Sequence, residues 1–138
     1  MKVPRPTGVD LEVLSKIEVR AIADELLTGD PNAVEAAVRF VCAETVNLWH
    51  GRGRAMMCRR MKHVELSRGQ QDRLVTAILG RLASGGFSEQ FRDQLRLAMR
   101  LDPEGTSKLA KRSLKSDKAH VRRFAAWILS HEDALHAV

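Results

Sequence analysis

Phe124, Ala125, Ile128 and Leu129 sit one, four and five residues apart, the spacing of a single stripe along an α-helix. Asp117 lies seven residues ahead of that stripe, where its carboxylate can accept from the first-turn amides as an N-cap. The same layout recurs along the chain. Asp30, followed by Pro31, precedes Ala37, Val38, Val41 and Cys42. Proline suits the first helical position because its missing N–H would have had no intrahelical acceptor. Ser67, with Gln70 three residues on, reads as a capping box ahead of Leu74, Val75, Ile78 and Leu79. Asp102, followed by Pro103, precedes Leu109, Ala110, Ser113 and Leu114. Asp10 precedes Ile17, Glu18, Ala21 and Ile22, with one polar misfit, and Val9 and Leu14 can close a hydrophobic staple across that cap.

Two more amphipathic segments fill the gaps. Residues 52–63 place Met57, Cys58 and Met61, with Val64, on one side. Residues 88–101 place Phe91, Leu95, Ala98 and Met99 together after the breaker at 84–86. No run alternates with a strand period, and no Asn-Gly hairpin signal occurs. The pattern predicts an all-α chain of about seven helices with short polar turns. It predicts one domain over 1–138, with a flexible tail at 1–8 and a frayed end at 132–138. Asp30, Val34, Phe40 and Val41 align without gaps on Asp117, Val121, Trp127 and Ile128, so the helices read as a repeat array with Trp127 in the core.

Asp117 followed by Val121-Arg122-x-x-Ala125-x-x-x-Leu129 resembles the core of HEAT-type (armadillo-like) repeats. Residues 102–131 resemble one complete helical hairpin of that class. Residues 10–48 resemble a second, in which Glu35 replaces the arginine and Val38 the alanine, and 51–101 fits less well. The resemblance implies a right-handed α-α superhelix whose stacked hairpins share one core. It also implies a function: such proteins are mostly binding scaffolds, while a minority bind or repair DNA or act as bilin-attachment lyases. Fold cannot choose among these.

Charge narrows the choice of partner. The net charge is +6, but residues 1–50 carry five Lys/Arg against eight Asp/Glu, and the remainder carries eighteen against nine. A basic C-terminal region favours anionic partners, and the split also permits head-to-tail self-association. A chain of 138 residues can bury about two-thirds of its unfolded surface. Cys42 and Cys58 form no C-x-x-C pair, and the first ten residues lack an apolar leader core. Both features fit a reducing cytoplasm. No apolar window approaches membrane-spanning length.

Two basic sets carry the candidate chemistry. The first is "HGRGRAMMCRRMKH" at 50–63, with Arg52, Arg54, Arg59, Arg60 and Lys62. Gly51 and Gly53 precede a predicted helix, so amides at its start and neighbouring guanidiniums suit a phosphate. The same residues equally suit a solvated basic face behind a Met/Cys stripe. The second set comprises Lys108, Lys111, Arg112, Lys115, Lys118, Arg122 and Arg123. Lys108, Lys111/Arg112 and Lys115 share one helical face and Lys118 and Arg122 share a face of the next helix; if these two faces border one groove, it suits a protein or acidic peptide, or a DNA or RNA backbone read without sequence preference. Cys42, His50, Cys58 and His63 match no zinc spacing, and no nucleophile elbow, P-loop or H-E-x-x-H occurs. Asp72 and Asp93 are the acids a HEAT-like glycosylase would need, yet neither has an aromatic on its face. The expectation is a non-catalytic binding module with no catalytic residues, metal or cofactor.

Overall fold

Four of the helices begin where a side-chain oxygen, of Ser15, Asp30, Ser67 or Asp102, accepts from a first-turn amide. In the computed structural model, which describes residues 11–88 and 90–131, a 3-10 turn at Leu11–Val13 is followed by seven α-helices. They are α1 (Lys16–Leu26), α2 (Pro31–Cys42), α3 (His50–Met61), α4 (Arg68–Ser84), α5 (Arg92–Leu101), α6 (Pro103–Ser113) and α7 (Ala119–Ser130). No strand occurs among the described residues. The termini expected to be flexible or frayed, 1–8 and 132–138, lie outside them, as do Val9, Asp10 and His136.

Three of the expected caps form. The Asp30 carboxylate accepts from Ala33 N at 3.2 Å, and that of Asp102 from Gly105 N at 2.9 Å. Ser67 and Gln70 close their capping box reciprocally, at 3.1 and 3.0 Å. Two others differ. Helix α1 is capped by Ser15, whose hydroxyl accepts from Glu18 N while the Glu18 carboxylate accepts from Ser15 N. This rotates the buried stripe to Val19, Ile22, Ala23 and Leu26, and leaves Ile17 in solvent. Helix α7 starts at Ala119 with Lys118 as its N-cap residue. Asp117 therefore sits one position too early for its carboxylate to serve the first-turn amides.

The chain divides into two compact units, 1–74 and 75–138, with the boundary inside α4. In the first unit, α1, α2 and α3 pack against one another. Gly53 is what lets α3 approach α1: a Cβ there would overlap the Val19 side chain and touch Phe40. The core includes Ile22, Leu26, Phe40, Met57, Cys58 and Met61. In the second unit α6 packs on α5 and most extensively on α7. Phe87 stacks on Phe91 at 4.3 Å, and Phe124 meets both edge-on. Leu95, Leu97, Ala98, Ala110, Val121, Ala125 and Ile128 complete that core.

Candidate anion-binding cleft

The first basic set is largely built into the fold. Arg54 reaches back to the α2–α3 connection, donating from Nη1 to Thr45 Oγ1 at 2.7 Å and to Ala43 O at 3.4 Å. Its Nη2 donates to Thr45 O at 2.7 Å. Fully buried His50 lies beside it, with Nδ1 2.7 Å from Thr45 Oγ1 and Nε2 2.9 Å from Leu14 O. A carbonyl only accepts, so Nε2 carries a proton. Phe40 meets the ring edge-on at 5.0 Å. His50 is thus a tether between α3 and the start of α1. Among the described residues no group of His, Cys, Asp and Glu is placed to hold a metal.

The other members of that set are dispersed. Arg60 pairs with Asp24 on α1 at 3.0 Å. Arg52 lies over the Trp49 ring. Arg59 is exposed, and Lys62 is the half-buried C-cap of α3. Gly53 is buried, and its N–H donates to Trp49 O at 2.9 Å. It serves packing, so the helix start is not the open amide cradle that the glycine spacing suggested.

Glu35 ties α2 to α4 in the first unit. Arg73 reaches it with both terminal nitrogens, at 2.9 and 3.2 Å. Arg39 Nε donates to it at 2.8 Å and Gln70 Nε2 at 3.2 Å. These donors, the Arg73 guanidinium first, outweigh partial burial and hold the carboxyl down from 4.5 to about 2.

The second set divides by role. Lys118 Nζ donates to Ser84 O at 2.6 Å, and His120 Nε2 faces Gly85 O at 2.9 Å. Together they serve the carbonyls at the C-terminal end of α4, where a cation complements the helix dipole. Arg122 Nη1 donates to Ser116 O at 2.7 Å. Lys108, Lys111, Arg112 and Lys115 are exposed on α6 and the turn after it.

Arg123 has a different setting. With Arg92, Phe124 and Trp127 it lines an open cleft of about 430 Å³ in the second unit. The Arg92 and Arg96 guanidiniums lie 5.6 and 5.3 Å from the centre of the Trp127 ring, and His131 tilts against that ring at 4.6 Å. Trp127 is therefore half-buried at a basic cleft, unlike Phe40, the residue it aligns with in sequence, which is fully buried. The reason is local: α7 presents Arg123 and Trp127 four residues apart toward Arg92 and Arg96, four apart on α5. Asp93 approaches Arg96 at 3.6 Å. Neither Arg92 nor Arg123 makes an ion pair among the described residues. Sequence reasoning missed Arg92 and Arg96; their one signal was the shared i, i+4 spacing of the two pairs.

No helix among the described residues is long and apolar enough to cross a membrane. No protein-family model, curated protein or solved structure matches the chain.

Proposed function

We propose that this protein is a non-catalytic binding module of HEAT-like helical hairpins that engages a protein partner through an acidic segment. The observation that carries the reading is the cleft at Trp127, where the Arg92 and Arg96 guanidiniums lie over one aromatic ring and Arg123 lines the same cleft as Arg92. A ring under a guanidinium orients it by cation–π attraction. Arginines so held present planar donor forks suited to carboxylates. The cleft's volume falls in the range of ligand sites. The repeat reading draws its support from the α6–α7 hairpin, in which Val121 and Ala125 of the matching motif are buried and Leu129 half-buried.

A nucleic-acid backbone is the second reading, favoured by Lys108, Lys111, Arg112 and Lys115, which lie exposed along α6 and the turn after it. Fluorescence anisotropy separates the two. Labelled glutamate-rich peptide and single- and double-stranded DNA and RNA are titrated at about 50 and 200 mM salt, where backbone contacts weaken steeply. The reading expects the peptide to bind more tightly than the oligonucleotides and to be lost on Arg92→Ala with Arg123→Ala. Tighter oligonucleotide binding with a steep salt slope replaces it by the second reading. No binding of any probe at the lower salt rejects both.

A further inference from the structure

The cleft at Trp127 carries more positive charge than its own two helices balance. Helix α7 contains no acidic residue, and α5 contains Asp93 alone. Asp93 approaches Arg96 at 3.6 Å, while Arg92 and Arg123 make no ion pair among the described residues. Two exposed guanidiniums therefore line the cleft beside half-buried Phe124 and Trp127.

The chain itself supplies two carboxylates next to this place. Helix α7 ends at Ser130, and its C-cap residue His131 tilts against the Trp127 ring, with Nδ1 2.8 Å from Trp127 O. Arg123, Trp127 and His131 are spaced four apart and so follow one face of the helix. The chain thus leaves α7 beside the cleft, and the next residues are Glu132 and Asp133, with Leu135 shortly after. An acid just past a helix C-terminus meets the negative end of the dipole. Turned back along α7, it meets guanidiniums instead. Arg123 lies about 12 Å from His131 along the helix axis, at about 1.5 Å per residue. The stretch 132–138 reaches about 23 Å when extended, so its length suffices.

We propose that residues 132–138 of this chain occupy the Trp127 cleft in the free protein, so that a partner's acidic segment binds there by displacing them. Charge complementarity selects this occupant: Glu132 and Asp133 match the two guanidiniums that lack a carboxylate, and Leu135 covers Phe124. Tethering adds to it, because a short linker holds a segment at an effective concentration in the millimolar range. The proposal rests on the reading of the cleft as a site for an acidic segment, and adds what regulates it.

The test begins with nuclear Overhauser spectra of the full chain at about 50 mM salt, where charges are weakly screened. Cross-peaks between the Leu135 methyls and the Trp127 ring are expected, and their absence overturns the proposal. Glu132→Gln with Asp133→Gln should weaken those cross-peaks. It should also tighten binding of a labelled glutamate-rich peptide by about threefold or more, the result when the segment fills the cleft about two-thirds of the time. Glu104→Gln with Asp117→Gln removes the same charge at exposed positions on α6 and the turn before α7, and should leave affinity unchanged. Equal tightening by both pairs overturns the proposal, since it reports net charge alone. Cross-peaks found only between differently labelled chains overturn it in favour of a second copy as the source of the segment. Peptide that binds wild type and the 132/133 variant alike rejects the displacement and leaves the reading of the cleft standing. Peptide that binds neither rejects the reading and the proposal together.

Discussion

Arg54 and Arg123 are the same residue type in the same basic chain, and their surroundings give them opposite work. Arg54 spends its nitrogens on Thr45 and Ala43 around a buried histidine. Removing it strips Thr45 O and Oγ1 of a charged donor, a loss of about 2–3 kcal/mol. Arg54→Ala is therefore expected to lower stability in urea by that amount and to leave acidic-peptide binding intact. Glu35 supplies a pH-dependent prediction. Its folded value of about 2 lies below its ordinary 4.5, so its contribution is fully present above pH 4.5 and is lost as pH falls toward 2. Its carboxylate is about a third exposed, and screening reduces the contribution to about 1 kcal/mol. Wild type should exceed Glu35→Gln in stability at pH 6, and the two should converge near pH 2, as read by urea unfolding across a pH series.

At the scale of elements, caps decide where helices start and which face they bury. Asp30 and Asp102 each accept from a first-turn amide, and alanine at either should cost about 1 kcal/mol. Asp117→Ala should fall within about 0.5 kcal/mol of wild type, since α7 begins too late to use it. Thermal melts of the three variants check the contrast. The Ser15–Glu18 box was legible in the sequence by the same signature as Ser67–Gln70. Asp10 competed for the same helix, and choosing it turned Ile17 inward when it belongs outside. The stripes of α2, α3 and α5 were legible because strong apolar periodicity leaves one face to bury. Trp127 was misassigned by analogy with Phe40. An aligned position shares a helix face, but the depth of that face depends on what packs over it, and for Trp127 that is arginine.

At the scale of the whole molecule, net charge of +6 acts through the cations the fold leaves free. Lys111, Lys115 and Arg123 are exposed, and no ion pair engages them among the described residues. Replacing all three with glutamine should shift elution from heparin to clearly lower salt. Replacing Arg54 and Arg60 removes equal charge per residue but should act more on melting temperature than on elution. Retention unchanged by the first triple substitution would place the anion-binding surface elsewhere.

The sequence by itself determined the all-α class, the seven helices, most caps and most of the buried stripes. Those features depend on residues within about two turns of each other, where periodicity and capping chemistry are local. It also determined the excess of positive charge, which is a sum. Tertiary structure alone decided which cations are consumed. Arg54, Arg60 and Lys118 reach carbonyls or a carboxylate outside their own helices, whereas Arg92 lies over an aromatic ring and Arg123 lines an open cleft. A guanidinium's partner is set by distance in space, and helical periodicity carries no information about which helix lies opposite.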